Sequence, residues 1–379
     1  MKRLFYAGLI LVALLEISNV YFIMPMPGSQ QTDTVDLAYF LYTHRWFFRI
    51  AFLVLILIGA LSAFNVKKKW IPILAVFPVI AIIYTFNFRM KADHMFLQPQ
   101  TLVFKSRSEN NLNDSSIVVA VSSQGESKAY PIRYIQYHHQ VRDTIAGKQI
   151  MVTYCNVCRT GRVFEPLVDG KSENFRLVGM DHFNAMFEDE TTKSWWRQAT
   201  GEAIMGPLKG RVLPEFESSQ LTLGKFFSLH PFGKVMHAED RSKESYDSLG
   251  RFESGRSTSN LTRTDSISWK AKSWVVGVEI NGKAKAYDWI QLKEAKIVHD
   301  QVDGTPIVIA IASDGQSFAA FERNSDDRFM IRNDSLVTTH GKYDFAGRGA
   351  DGNNLDAVKS YQEFWHSWKT FHPETEIYK

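Results

Sequence analysis

Apolar residues crowd the start of this chain and are spaced out over the rest. They run almost unbroken from Leu4 to about Met26, from about Phe47 to Phe64, and from Trp70 to Phe88. Each run is near the ~20 residues that cross a bilayer as a helix. Beyond Arg89 the pattern changes to short alternating runs broken by Gly and aromatic residues, which predicts strands. Hairpins are expected at Val118–Val121 with Lys128–Ile132, around Gln124-Gly125, and at Val275–Val278 with Lys283–Tyr287, around Asn281-Gly282. Asn-Gly is a strong short-hairpin signal. Apolar residues at helical spacing from Tyr361 to Phe371 predict a closing helix.

The basic residues orient the three spans. Lys2 and Arg3 precede the first, and Lys67-Lys68-Lys69 separate the second from the third. Basic clusters stay on the cytoplasmic side, so the N-terminus is expected inside and everything after Phe88 outside. A removed signal peptide would not need two further spans, so the first is expected to be an uncleaved anchor. Glu16 falls near the middle of the first span. A carboxylate at bilayer depth points to a functional or helix-pairing role, the plainer form being a protonated Glu16 bonded to a neighbouring helix. Met24-Pro25-Met26-Pro27 ends that span; thioethers can bind Cu(I), though a Met-rich helix end is also simply apolar.

The β-rich part contains an internal repeat. Val118-Val119-Ala120-Val121, Gly125 and Lys128-Ala129-Tyr130 return as Val275-Val276-Gly277-Val278, Gly282 and Lys285-Ala286-Tyr287. In the same register Asp143 meets Asp300, Gly147 meets Gly304, and Phe164-Glu165 meets Phe321-Glu322. Leu229-His230-Pro231 and Phe371-His372-Pro373 read as matching ends, with both histidines serving the fold. The expected organisation is a three-span anchor over 1–88, a first external repeat over 89–236, a linker or long loop over 237–270, and a second, degenerate repeat over 271–379. The fold class is α+β: three N-terminal transmembrane helices, then a duplicated, mostly antiparallel β-rich external domain with a closing helix in each copy.

Net charge is only +4 with 22% charged residues, so no field for nucleic acid follows. The lipid bilayer and an envelope protein are the partners this organisation suggests. The chain has two cysteines, in Thr153-Tyr154-Cys155-Asn156-Val157-Cys158-Arg159-Thr160-Gly161. A strand leads into Cys155 and a turn and second strand follow, so the pair lies on a tight loop and opens no helix. The second copy has Ala312, Gly315 and Ala295 where the first has Cys155, Cys158 and His138. Residues kept in one copy alone are candidates for chemistry.

Three uses of this set stay open. Two thiolates and the His138 imidazole suit a transition metal, copper or zinc, with His139, Asp181, His182 or Met186 as candidate fourth ligands. Alternatively, Cys155 and Cys158 perform thiol–disulfide exchange, with His138 or Arg159 lowering a thiol pKa. In the third, non-enzymatic case the cysteines form a structural disulfide in an envelope scaffold or binding module. A further stretch, Lys193 to Gly210, holds paired Trp195-Trp196 beside Gly-rich turns and Glu202. It reads as core aromatics before a ligand cleft. Phosphate loops, Ser/His/Asp orders and nucleotide fingerprints are absent.

These stretches together resemble the bacterial domain-of-unknown-function 3179 family. The likeness is carried by Ala129-Tyr130-Pro131-Ile132, by Tyr137-His138 with Val141, Asp143 and Gly147, and by Thr153-Tyr154-Cys155-Asn156-Val157-Cys158. Trp196, Thr200-Gly201-Glu202-Ala203 and Gly206-Pro207-Leu208-Lys209-Gly210 extend it. It covers roughly Val118 to Pro231 and, more weakly, the second copy. Asn156 and Arg159 depart from the Pro and Gly that the family commonly has at these positions. A glycine after the second cysteine would ease the left-handed backbone of a metal knuckle. The resemblance implies an envelope protein and carries no assigned reaction.

Overall fold

The computed structural model describes all 379 residues and divides into two compact units. The first joins residues 1–97 with 173–197 and 202–211; the second joins 98–172 and 198–201 with 212–379.

In the first unit, α1 (Lys2–Tyr21), α2 (Val35–Phe64) and α3 (Trp70–Tyr84) are the expected apolar helices, and α3 runs on through a π-turn over Thr85–Arg89. All three are long and apolar enough to cross a membrane. The second helix starts at Val35, well before its apolar run, because Leu37 to His44 also carries helical spacing. Gly59 lets α1 and α2 approach closely: a Cβ there would lie 2.3 Å from the Phe5 nitrogen. The same unit holds an antiparallel sheet of Phe175–Asp181, Asn184–Asp189, Trp195–Arg197 and Ala203–Met205, in that order. Its inner face (Val178, Met186, Trp195, Met205) packs with Ile23 and Ala38.

After a short strand at Phe104–Lys105, the second unit continues with β1 (Ile117–Ser123), β2 (Glu126–Pro131), α4 (Ile132–His138), β3 (Gln140–Ile145), β4 (Lys148–Cys155) and β5 (Thr160–Phe164). Then come β6 (Ser218–Thr222) and α5 (Leu223–Leu229). Next are β7 (Trp274–Ile280), β8 (Lys283–Asp288), α6 (Trp289–Ala295), β9 (Ile297–Val302), β10 (Thr305–Ile311) and β11 (Phe318–Glu322). Last come β12 (Ser360–Phe364) and α7 (Trp365–Phe371). Both expected hairpins form. Positive φ at both Gln124 and Gly125, and again at Asn281 and Gly282, is the two-residue turn that matches strand twist.

Several contacts recur in the two halves. The Tyr130 hydroxyl donates to Asp143 at 2.6 Å and Tyr287 to Asp300 at 2.8 Å, with Lys128 and Lys285 against the same carboxylates. A short strand pairs parallel to β2 (Lys234–Met236) and another to β8 (Glu376–Ile377). His230 and His372 cap α5 and α7. One apolar core draws on both halves, including Val119, Tyr130, Val152, Val276, Tyr287 and Ile309. The Ser-rich stretch after His237 is no bare linker: short helices at Lys243–Ser248 and Gly250–Glu253 bring Tyr246 and Phe252 into that core.

Candidate functional site

The strand β4, buried from Ile150 onward, ends at Cys155, and residues 156–159 turn the chain into β5. Arg159 takes a left-handed φ of +56° in that turn without being glycine. Its guanidinium stacks 3.5 Å from the Trp274 ring centre, and its Nε donates to Gln362 at 3.3 Å. This ring and amide hold a backbone that the side chain alone disfavours. Gln198 clamps the two strands behind the turn, donating to Thr153 Oγ1 at 2.9 Å and to the Thr160 carbonyl at 3.0 Å.

The other side of the turn is closed by the second half of the chain. The Phe364 N–H donates to the Cys158 carbonyl at 2.9 Å. The Lys272 ammonium donates to the Val157 carbonyl at 2.5 Å and lies 3.1 Å from His366 Nε2, which is itself 3.1 Å from that carbonyl. Thr160 Oγ1 and Ser367 Oγ are 3.2 Å apart, and Ser367 donates to Glu363 at 2.9 Å. Glu363 pairs with Arg162, whose guanidinium lies 3.3 Å from the Tyr361 ring centre.

Both thiols are fully buried and not joined by a disulfide. Burial, then the adjacent Cys155 thiol, pushes the Cys158 pKa well up; the Ser367 hydroxyl and the Lys272 charge act the other way. Burial pulls the Lys272 amine down to about 8, against the raising effect of the two sulfurs. Burial and the Lys272 charge together pull His366 down to about 3, so it stays neutral. The product is a Cys158 thiol held protonated beside an amine poised to gain or lose a proton near neutral pH.

The His138 Nε2 meets the Tyr246 hydroxyl at 2.6 Å. His139 has Nδ1 3.1 Å from the Tyr137 carbonyl, and burial lowers its pKa to about 4. Asp181 accepts from Arg197 Nε at 2.8 Å and from His182 Nδ1 at 2.7 Å, while Met186 is buried among Trp195 and Met205. No group of three or more His, Cys, Asp or Glu side chains is placed to hold a metal ion. Trp195 and Trp196 are buried, their indole N–H groups donating to Glu188 at 3.0 Å and Asp189 at 2.9 Å, as core aromatics do.

Lys272, His366, Ser367 and Gln198 carry no spacing signal towards the cysteines. The first three lie in the half that lacks cysteine, where a search confined to the cysteine-bearing half cannot reach. A family model described as "Protein of unknown function (DUF3179)" matches residues 99–375. No curated protein and no solved structure matches the chain.

Proposed function

Because the chain belongs to the DUF3179 family, whose description names no reaction, we infer its function from the chemistry of the site itself. Cys155 and Cys158 form a two-electron dithiol–disulfide couple in a membrane-tethered protein, with Lys272 as its proton relay. When the turn opens and exposes a sulfur, that sulfur attacks the disulfide of an envelope protein partner, forming a mixed disulfide and releasing one partner thiol. The second sulfur then displaces the other, leaving the Cys155–Cys158 disulfide. The two protons leave with the released thiols, the Cys158 proton passing through the Lys272 amine. The observation that carries this is the pairing of two adjacent buried sulfurs with an amine whose pKa is about 8.

A copper or zinc centre is the less fitting use of the same sulfurs. Beside them stands the Lys272 ammonium, a like charge to any metal ion, and His366 already faces that ammonium and a carbonyl. The basic clusters around the apolar helices favour a cytoplasmic N-terminus in the inner membrane and an external domain beyond Phe88. The recurring Tyr–Asp–Lys contacts support descent of the two halves from one module, in which only the first kept its cysteines.

The test uses the full-length protein in detergent, equilibrated with glutathione redox buffers, quenched in acid and alkylated while unfolded. A single two-electron transition is expected, with an oxidation rate that rises through an inflection near pH 8. Lys272→Met should remove that inflection and slow oxidation about a hundredfold, the low end of what one positioned acid–base group contributes. Persistence of both thiols across all buffers would overturn the couple. So would one zinc or copper per chain that disappears with Cys155→Ser.

A further inference from the structure

The first unit encloses a cavity of about 400 Å³ whose lining includes Glu16, Asn19, Arg45, Arg49, Lys91 and Lys193. Its charges are unequal. The Arg49 guanidinium grips Glu16 through two hydrogen bonds of 2.7 Å, and Asn87 donates to the same carboxylate at 2.8 Å. Arg176 pairs with Glu188 at 2.7 Å and with Asp93 at 3.0 Å. These pairings leave Arg45, Lys91 and Lys193 facing the cavity without a carboxylate. Five cations therefore line it against three carboxylates. The Asn19 amide adds a donor and an acceptor that are buried and have no hydrogen-bond partner. Such groups in a folded protein call for a ligand or water to meet them.

The rest of the lining is apolar, with Val20, Ile23, Trp46 and Phe86 among it. Outside it, α2 and α3 present Leu53, Leu57, Ile80 and Phe88 on their exposed faces. A soluble anion has no use for an apolar wall, whereas an amphiphile does.

We propose that this cavity is a binding site for the phosphodiester headgroup of an anionic phospholipid. The phosphate is held by Arg45, Lys91 and Lys193, the glycerol hydroxyls meet Asn19, and the acyl chains leave over the apolar wall. The proposal rests on the membrane reading of the three helices and is independent of the thiol chemistry. Lys and Arg side chains that lack a carboxylate partner attract a phosphate electrostatically, and Glu16 and Arg49, paired with each other, also line the site.

The full-length protein is purified in detergent and exposed to equal amounts of phosphatidylglycerol and phosphatidylcholine, and the lipid retained is read by native mass spectrometry. Retention of phosphatidylglycerol at least tenfold over phosphatidylcholine is expected. The Arg45→Gln, Lys91→Gln, Lys193→Gln triple variant should lose that preference while its Tm without lipid stays within a few degrees. Asn19→Leu, which keeps the size of the side chain and removes its amide, should lower retention of phosphatidylglycerol. Equal retention of the two lipids by the wild type would overturn the proposal. Full displacement of phosphatidylglycerol by millimolar inorganic phosphate would overturn the lipid assignment in favour of a soluble anion.

Discussion

At the scale of single residues, the site is governed by what burial does to its bases. His366 and His139 are held neutral, at about 3 and about 4, against an ordinary value of 6.5. Between those values the unfolded chain binds protons that the folded chain refuses, so stability falls as pH drops below about 6.5. Each histidine contributes a slope of up to ~1.4 kcal/mol per pH unit. The Tm of the full-length protein in detergent should therefore fall from pH 7 to pH 5, and His366→Gln should flatten that fall by about half. An unchanged slope in His366→Gln would place the acid sensitivity elsewhere. The turn itself was half legible. The strand–turn–strand around the cysteines follows from β-branched residues and Gly161. The left-handed Arg159 does not, because the groups that hold it, Trp274 and Gln362, lie in the other half of the chain. Lys272 and His366 were hidden for the same reason, 115 and 209 residues from Val157.

At the scale of elements, the hairpins were readable because Asn281-Gly282 and Gln124-Gly125 dictate a turn by local sterics alone. Which core an element joins was not readable. The strands between Phe175 and Met205 carry an ordinary apolar face, and nothing local says that Ile23 and Ala38 cover it. Packing between elements also fixes residues that look permissive. Gly277 in β7 lies under Trp368 of α7, where an added Cβ would sit 2.3 Å from the ring. That ring is fully buried and its indole donates to Thr375 at 2.9 Å, so it cannot swing aside. Gly277→Ala should cost about 1–3 kcal/mol by overpacking, seen as a lower Tm. Ala120 occupies the corresponding place in β1, and Ala120→Gly should produce a smaller change. Equal Tm for wild type and Gly277→Ala would mean that α7 shifts freely, contrary to this packing.

At the scale of the whole chain, three apolar helices carry a charged group that hydropathy marks as an anomaly, and the structure gives its partner. Glu16 was expected to pair with a neighbouring helix, and it does: the Arg49 guanidinium meets it in a two-pronged contact completed by Asn87. Arg49 escaped attention because it sits at the boundary of the second apolar run, where basic residues are common. Breaking a buried pair from one side is costly, ~3–5 kcal/mol, whereas replacing both partners with apolar residues is often neutral. Glu16→Leu should lower the Tm in detergent strongly, and Glu16→Leu with Arg49→Met should recover most of it. A double variant no better than the single would show that the pair does not act as a unit.

The turn bearing the sulfurs is sealed by a backbone bond from Phe364 and by side chains from Lys272 onwards. A ribosome delivers those pieces last. While the middle of the polypeptide emerges, neither cysteine yet has the cover that these groups supply, and the door shuts only when the final stretch arrives. The burial of Cys155 and Cys158 is thus the last act of a chain threaded from one end to the other.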